Sequence, residues 1–343
     1  GACVLGAEHK PIKIGRLQRY AMDNGRGVGL AQRRHAASTG KRVAVVGSGP
    51  AGLSCAGELT LLGHAVTVFE RRPLPGGLST YGIISLREPV EAAVDEAAMI
   101  QSLGVEFVHG QELGGNLSLD DLTARFDAVF LGVGLGATPA LGIPGEDAVV
   151  DGLSYIEQSK FAPGTMKIGR QVVVIGAGNT AIDCATIARR LGAERVSIVY
   201  RRTEREMTAY PHEYEFARRE GIEFRFLTTP VAVVDGGLRC VRMSLGAADA
   251  SGRPAPVAVM GSEFVLEADQ IVKAIGQVKP PDWGLAFERG FIRVDESFAT
   301  SRAKVFAGGD AVRARGAAST VMAVEDGKRA AASIHARLEV RHG

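Results

Sequence analysis

Two glycine-rich motifs of the same type constrain the fold of this 343-residue chain more than any other feature. The first reads Gly-Ser-Gly-Pro-Ala-Gly over residues 47–52, between a β-branched run and a helix-forming stretch, and Glu70 ends the next apolar run. In this setting Gly47 permits a tight turn, Gly49 lets a pyrophosphate approach the backbone, and Gly52 allows close helix–strand packing. Glu70 is placed to accept hydrogen bonds from a ribose hydroxyl. The motif predicts a dinucleotide-binding βαβ unit.

The second motif reads Gly-Ala-Gly-Asn-Thr-Ala over residues 176–181 and also lies between a strand-like run and a helix. The strand that follows ends in Arg201 and Arg202 instead of an acid, and Arg205 comes shortly after. Guanidinium groups suit the 2′-phosphate of NADP, which an acid would repel. A solvated basic loop is the alternative interpretation. The pattern predicts a second dinucleotide unit that prefers NADPH to NADH.

A third motif, Phe-Ala-Gly-Gly-Asp over residues 306–310, follows a short strand and precedes a helix from Thr320. Asp310 could bond the ribityl chain of a flavin, and the helix would point its N-terminus at the flavin ring. Alone, such a turn is unspecific. Its position after two dinucleotide units makes a flavin site the favoured interpretation.

Composition and charge narrow the functional classes. The chain has 40 basic and 38 acidic side chains without a basic block, so neither nucleic acid nor a lipid surface is an expected partner. No apolar run is long enough to cross a bilayer and no secretory signal is visible, so we expect a cytoplasmic protein. The four cysteines are far apart, which excludes a C-x-x-C dithiol.

The order of the strand-like and helix-like segments predicts an α/β fold with two Rossmann-like dinucleotide-binding domains. Residues 1–40 are polar and are predicted to be an irregular linker outside the core. The Gly-Ile-Pro-Gly segment at residues 142–145 is a plausible domain boundary.

Taken together, these motifs resemble those of the flavoprotein reductases with two dinucleotide-binding domains, which are pyridine nucleotide-disulfide-oxidoreductase-like proteins. The nearest resemblance is to the glutamate synthase small subunit and the NAD(P)H-oxidising part of dihydropyrimidine dehydrogenase. Further segments carry it: Pro-Gly-Gly-Leu at 75–78, Tyr-Gly-Ile at 81–83, Ala-Val-Phe-Leu-Gly-Val-Gly at 128–134, Ala-Ile-Gly-Gln at 274–277 and Asp-Gly-Lys-Arg-Ala-Ala at 326–331.

The resemblance implies that FAD is held by residues 41–145 plus 280–343, and NADP(H), or possibly NAD(H), by an inserted domain over 146–279. A hydride would pass from the nicotinamide to the flavin, and no side chain is named as catalytic. The implied cofactor-binding positions are Gly47, Gly49, Pro50, Ala51, Gly52, Glu70, Arg71, Gly77, Leu78, Gly134, Gly176, Gly178, Asn179, Thr180, Ala181, Arg201, Arg202, Arg205, Ile275, Gly276, Gly309, Asp310, Thr320 and Val321.

Residues 1–6 and 11–20 resemble the end of the N-terminal iron–sulfur domain of the family, which makes residues 1–40 its remnant and linker. Cys3 would be the last thiolate of a series of cluster ligands in an intact domain. A 4Fe–4S cluster needs four thiolates, so we expect that most of this domain is missing and that the chain alone holds no cluster.

Three hypotheses remain open on the sequence. The first is an electron-input subunit that passes electrons from NADPH through FAD and iron–sulfur clusters to a substrate-reducing partner subunit. The second is a stand-alone NAD(P)H:acceptor reductase acting on a ferredoxin or a quinone. The third, which the intact glycine and acidic positions oppose, is a nucleotide-binding scaffold without turnover.

Overall fold

The structure, a computed structural model, describes residues 11–25, 34–248, 252–313 and 319–339. The helices are α1 (Ile14–Gly25), α2 (Pro50–Leu61), α3 (Leu78–Tyr81), α4 (Val90–Ser102), α5 (Leu119–Arg125), α6 (Gly152–Phe161), α7 (Asn179–Arg190), α8 (Pro211–Arg219) and α9 (Thr320–Glu339). Within the described ranges, no helix combines the length and apolar character that crossing a bilayer would need.

The strands are β1 (Arg42–Val46), β2 (Ala65–Glu70), β3 (Glu106–His109), β4 (Ala128–Leu131), β5 (Val150–Asp151), β6 (Gln171–Ile175), β7 (Arg195–Val199), β8 (Glu223–Arg225), β9 (Thr228–Val234), β10 (Gly237–Ala248), β11 (Pro254–Ala258), β12 (Phe264–Glu267), β13 (Gln270–Lys273), β14 (Phe287–Glu288), β15 (Phe291–Ile292) and β16 (Val305–Ala307).

The first sheet is parallel, with the strand order β16-β4-β1-β2-β3. Its middle strand, β1, is apolar on both faces because both faces are covered. Val43 and Val45 pack into one core with residues of α2 and α9, whereas Ala44 and Val46 pack into a second core on the opposite face. Parallel strands covered on both sides have such continuous apolar runs instead of an alternating pattern.

Helix α9 lies on α2 at a distance that only glycine permits. A Cβ on Gly327 would lie 2.3 Å from the Ala51 carbonyl oxygen and 3.0 Å from the Cys55 nitrogen. The Ser54 hydroxyl also donates to the Val324 carbonyl at 2.8 Å. The C-terminal helix is therefore fixed against the helix that follows the first glycine motif.

The second sheet is also parallel, with the order β5-β13-β6-β7-β8. Between β8 and β13 the chain forms an antiparallel sheet in which β9, β11 and β12 all pair with the long strand β10. All strands of the second sheet lie between β4 and β16 of the first sheet in sequence. The predicted α/β fold, with one dinucleotide-type domain inserted in another, is confirmed.

Two parts of the fold differ from the sequence prediction. Residues 14–25 form helix α1, so the prediction of an irregular linker is wrong there, although no residue of α1 is buried and the segment does lie outside the core. The apolar residues Ile14 and Leu17 have the spacing of one helical face. The antiparallel sheet around β10 was not predicted at all, because its strands alternate between buried and exposed residues too irregularly.

Two segments connect the domains and lie side by side. The Gly136 amide donates to the Val278 carbonyl at 2.9 Å, and the Val278 amide donates to the Ala137 carbonyl at 2.8 Å. The Gln277 side-chain amide adds a third bond, to the Gly136 carbonyl at 2.8 Å. The domain boundaries at 145/146 and 279/280 fall in the connections between the two sheets and stay predictions.

A cluster of one arginine and two buried carboxyl groups lies where the two domains meet. Arg87, which precedes α4, places Nη2 2.8 Å from Oδ1 of Asp183 on α7, and it also pairs with Glu213 on α8. The Asp183 and Glu213 side chains are only 7 % and 9 % exposed. Burial raises the pKa of Asp183 to about 7; Glu213 adds to this shift, whereas Arg87 and Lys160 oppose it.

We expect Asp183→Asn to flatten the pH dependence of stability. Folded Asp183 keeps its proton up to about pH 7, whereas the unfolded side chain releases it near 3.8, so between these values the folded state binds more protons. The contribution of Asp183 to the free energy of unfolding therefore falls as the pH rises from about 4 to about 7, by at most about 4 kcal/mol.

Urea unfolding of the native chain and the variant between about pH 4 and pH 8 measures this difference. Asp147→Asn, at an exposed position, is the matched control and should keep the native slope. Equal slopes for the native chain and Asp183→Asn would contradict the prediction.

Candidate functional site

The first glycine motif forms a tight turn from β1 into α2 that leaves the helix N-terminus approachable. Gly47 has φ +92°, and a Cβ there would lie 2.5 Å from the Gly132 carbonyl at the end of β4. A Cβ on Gly52 would lie 1.9 Å from the Gly47 carbonyl. At Gly49, by contrast, the nearest atom to a Cβ would be Cα of Gly77, 4.0 Å away. The packing of the protein therefore requires glycine at positions 47 and 52, whereas at Gly49 it leaves space for a side chain or a ligand.

The Pro-Gly-Gly-Leu segment crosses over this turn. The Gly76 amide donates to the Ser48 carbonyl at 3.0 Å, and Gly77, with φ +59°, approaches so closely that a Cβ there would lie 2.8 Å from Cα of Gly49. Leu78, which begins α3, leaves 39 % of its surface exposed. The structure therefore brings together the predicted positions Gly49, Gly77 and Leu78.

Glu70 at the end of β2 is held against the same turn. It is 5 % exposed; its Oε2 accepts the Ser48 amide at 2.9 Å and the Ser48 hydroxyl at 2.5 Å, and its Oε1 accepts the Arg72 amide at 2.7 Å. The carboxylate is therefore oriented before any ligand arrives. Ser48 and Arg72 were not predicted, because neither contact has a sequence signature. Arg71 is exposed and pairs with Glu112 at 3.4 Å.

The C-terminal motif lies at the same edge of the first sheet, because β16 and β1 are parallel. Gly309, with φ +72°, donates its amide to Oδ2 of Asp326 at 3.1 Å, and the same oxygen pairs with Arg313. Asp310 is half-buried, and burial raises its pKa above the ordinary value while Arg313 opposes the shift. Asp326, which organises this turn from α9, was not predicted as a site residue.

Helix α9 begins at Thr320, as the sequence predicts, and its first turn is open. Val321 is 77 % exposed and Met322 is 43 % exposed, and the Met322 amide donates to the Ser319 hydroxyl at 3.2 Å. Apolar side chains exposed beside a helix N-terminus suit a flat ligand with one apolar surface.

The second glycine motif repeats this geometry between β6 and α7. Gly176 has φ +124°, and a Cβ there would lie 2.2 Å from the Ala274 carbonyl at the end of β13. A Cβ on Gly178 would lie 3.2 Å from the Thr208 hydroxyl. Asn179 accepts the Tyr210 amide at 3.0 Å on its side-chain oxygen, so this side chain orders the loop before α8. Thr180 lies in the first turn of α7, and Ala181 is fully buried there.

The loop after β7 is fixed by its own hydrogen bonds. Thr203 and Glu206 form a capping box on the turn Glu204–Glu206, and the Tyr200 hydroxyl donates to the Glu206 carbonyl at 2.7 Å. The three predicted arginines differ in this loop. Arg201 and Arg205 are exposed and form no ion pair with any residue in the described ranges, whereas Arg202 is 3 % exposed and donates to the Pro254 carbonyl at 2.9 Å.

Three further predicted positions lie in the connections between the domains. Gly134 and Gly276 have φ values of +65° and +98°, and a Cβ on either would meet no other atom within 4 Å. Ile275 is 37 % exposed. The open space at these glycines leaves the backbone approachable, as at Gly49.

The cysteines in the described residues are buried. Burial raises the pKa of the Cys55 and Cys184 thiols well above the ordinary value and that of Cys240 to about 12. Cys3, the predicted cluster ligand, lies outside the described residues. In the parts of the chain that are described, no group of three or more His, Cys, Asp or Glu side chains could hold a metal ion.

Comparison with known proteins assigns this arrangement to a class. The sequence matches the pyridine nucleotide-disulphide oxidoreductase family over residues 5–113 and 41–327. The chain belongs to this family and, within it, to the homologues of glutamate synthase small chains, as the sequence predicts. The family is one of oxidoreductases.

Two relatives illustrate the match. The chain is 36 % identical to the glutamate synthase (NADPH) small chain of Escherichia coli K12 over 369 residues, which covers 99 % of this chain and 78 % of that protein. It is 41 % identical to the NADP(+)-dependent formate dehydrogenase subunit beta of Moorella thermoacetica over 317 residues, covering 87 % of this chain. The chain spans only 44 % of the length of that second relative.

Solved structures with this fold are more distant in sequence. Mycobacterium tuberculosis FprA in complex with NADPH superimposes with a TM-score of 0.70 and 21 % identity over 88 % of this chain and 85 % of that chain. The likeness supports the two-domain fold alone.

Alanine substitutions at two glycines of the first motif should affect different properties, stability at Gly52 and cofactor binding at Gly49. Gly52→Ala places a methyl group 1.9 Å from a backbone oxygen, so we expect it to lower the free energy of unfolding by about 1–3 kcal/mol. Gly49→Ala meets no protein atom closer than 4.0 Å and should leave stability nearly native, yet its methyl group enters the space in which a dinucleotide is expected to lie.

Urea unfolding and a fluorescence titration with FAD measure the two effects. We expect Gly49→Ala to fold normally and to bind FAD at least about tenfold more weakly. Native affinity in Gly49→Ala, or native stability in Gly52→Ala, would contradict the geometry.

Proposed function

We propose that the chain binds FAD in the first domain and NADPH in the inserted domain, and passes electrons from NADPH through FAD towards a partner subunit. The difference between the two strand ends is the observation that carries this proposal. At the first glycine motif a buried carboxylate, Glu70, is fixed beside the turn, whereas at the second the exposed guanidinium groups of Arg201 and Arg205 form no ion pair with any described residue.

Several features of the first domain fit FAD. Gly49 leaves the N-terminus of α2 open to a pyrophosphate, and Glu70 retains lone pairs for ribose hydroxyls after accepting from Ser48 and Arg72. Asp310 and the open first turn of α9 lie at the same edge of the sheet. The exposed Leu78 and Val321 would be covered by a bound flavin.

The inserted domain fits NADPH better than NADH. The capping box at Thr203 and the Tyr200–Glu206 hydrogen bond fix the loop that carries Arg201 and Arg205, so little ordering is needed when a 2′-phosphate binds. Arg202 was expected to share this role, but its guanidinium group is buried against Pro254. We therefore assign the phosphate contact to Arg201 and Arg205.

The residues of this chain act by positioning and by electrostatics. When bound, the two cofactors supply hydride transfer from nicotinamide to flavin. The N-termini of α2 and α7 would hold the two pyrophosphates, and the N-terminus of α9 would stabilise negative charge on the reduced flavin. No side chain in this arrangement needs to donate or remove a proton.

The acceptor of the electrons from the flavin lies, we propose, on another protein. The thiols of Cys55, Cys184 and Cys240 are buried, and the sequence has no C-x-x-C pair, so the described residues offer no dithiol acceptor. The names of the relatives, a small chain and a subunit beta, belong to multi-subunit enzymes. We propose that iron–sulfur clusters and a substrate-reducing partner subunit receive the electrons.

Reduction of the bound flavin tests the core of this proposal. The full chain loaded with FAD should lose its flavin absorbance when NADPH is added without oxygen, and no substrate of a partner should be needed. A chain that binds no FAD, or whose flavin stays oxidised with NADPH, would be incompatible with the proposal. Rapid turnover with ferredoxin or quinone alone would favour a stand-alone reductase.

Single substitutions of the three arginines separate their roles. We expect Arg201→Ala and Arg205→Ala each to lower the ratio of kcat/KM for NADPH to that for NADH by about 10- to 100-fold, since a charge-assisted hydrogen bond contributes about 1.5–3 kcal/mol. Arg202→Ala should instead lower stability, because it leaves the Pro254 carbonyl without its partner.

Steady-state kinetics with a dye acceptor and thermal unfolding measure these effects. Arg239→Ala, an exposed arginine on β10, is the control. If the preference for NADPH survives in both Arg201→Ala and Arg205→Ala, the assignment of the phosphate contact is wrong.

A further inference from the structure

One face of helix α6 in the inserted domain contacts the first domain. Glu157, Lys160 and Phe161 lie at i, i+3 and i+4, which places them on the same side of the helix. Glu157 pairs with Arg72, and the Phe161 ring lies 5.3 Å from the ring of Tyr81, centroid to centroid. All three side chains meet the part of the first domain that directly follows Glu70.

Lys160 makes the densest of these contacts. Its Nζ donates to the carbonyl oxygens of Ser79, Ile83 and Glu88, at 2.9, 2.6 and 3.0 Å. An ammonium group has three donors, so all of them are used on one segment of the other domain. Burial lowers the pKa of Lys160, while Glu88, Glu91 and Asp183 oppose the shift. We call residues 79–88 the docking segment.

Arg87 at the end of the docking segment makes the second contact. It pairs with Asp183 on α7 and with Glu213 on α8, both almost fully buried. Asp183 lies one turn after Asn179, at the start of the helix whose N-terminus belongs to the second glycine motif. Arg87 thus connects the first domain directly to the helix on which the NADPH pyrophosphate would rest.

Ile84 completes the docking segment with an apolar contact. It is 4 % exposed and packs into the core of the inserted domain together with Tyr155, Ile156 and Ile182. The contact therefore combines buried apolar area with two cationic side chains whose partners all lie across the domain boundary.

The docking segment lies next to residues assigned to the flavin site. Ser79 directly follows Leu78, and Gly77 crosses over the first glycine turn. The covalent connections between the domains lie side by side at residues 136–137 and 277–278, where three hydrogen bonds join them, and one such point of attachment alone would leave the inserted domain free to pivot. The contacts of Lys160 and Arg87 supply further points of attachment and remove that freedom.

We propose that Lys160 and Arg87 are positioning residues for hydride transfer, holding the NADPH domain in the orientation that presents its nucleotide to the flavin. This inference rests on the proposed function. Hydride transfer needs reacting atoms about 3–3.5 Å apart, and a displacement of about 1 Å can lower the rate about 100-fold. The charged groups of Lys160 and Arg87 pair with none of the proposed cofactor-binding residues. Loss of either side chain should therefore lower the rate of flavin reduction more than the affinity for NADPH.

The test uses the full chain loaded with FAD and compares Lys160→Met, Arg87→Met and Arg87→Lys with the native chain. Anaerobic stopped-flow absorbance gives the limiting rate of flavin reduction and the NADPH concentration at half-saturation. Hydrogen exchange of the amides in the docking segment gives a readout that needs no NADPH. Lys167→Met, at an exposed lysine near α6, is the matched control.

We expect the limiting rate to fall about tenfold or more in Lys160→Met and Arg87→Met, with the half-saturating NADPH concentration changed less than about threefold. Amides of the docking segment should exchange faster while those of β1 and β6 stay protected. Arg87→Lys keeps the charge and should recover part of the rate, so it tests the inference even if Lys160→Met folds poorly. Lys167→Met should match the native chain in every measurement.

Native limiting rates in folded variants, or a loss confined to NADPH affinity, would overturn the positioning role alone. A native chain that binds FAD but is not reduced by NADPH would overturn the proposed function, and the positioning role with it.

Discussion

The close approach of one backbone segment to another at glycine determines the architecture of this protein. A Cβ at Gly52, Gly176 or Gly327 would lie 1.9, 2.2 or 2.3 Å from a backbone carbonyl oxygen. At Gly52 and Gly176 this closeness lets the helix start directly above the end of a parallel strand, where its N-terminal amides face outward. At Gly327 it lets the last helix lie on the first such helix. The close contacts at Gly52 and Gly327 thus bring together the first glycine turn, α2 and α9, which are assigned to the flavin.

Much of this fold can be predicted because its strongest signals are local. Strands β1 and β6 lie directly before the two glycine motifs, as expected from the sequence, since a buried parallel strand is a continuous apolar run. The glycine turns are predictable for the same reason, because their residues are adjacent in the chain. Helix α1 and the antiparallel sheet around β10 cannot be predicted in this way. Their residues are mostly exposed or half-buried, so the sequence shows only a weak hydrophobic periodicity there.

The site is less predictable than the fold, since its supporting contacts join residues that are distant in sequence. Ser48 with Glu70 and Gly309 with Asp326 are hydrogen-bonded pairs that no spacing rule indicates. The same holds for Lys160, whose three acceptors lie more than seventy residues away in the other domain. The motifs therefore indicate where a cofactor would lie, whereas tertiary packing determines how firmly the surrounding groups are held.

The burial of Arg202 has a consequence for how this protein can change over evolutionary time. Two neighbouring arginines of identical chemistry differ in their surroundings, since Arg202 is buried against Pro254 of β11 while Arg201 is exposed at the surface. Mutations that alter the exposed position therefore carry little structural cost, whereas mutations at the buried one are constrained by folding. With the 2′-phosphate contact assigned to Arg201 and Arg205 as proposed, a lineage could drift between the two nicotinamide coenzymes through surface changes alone, without first acquiring compensating stability elsewhere.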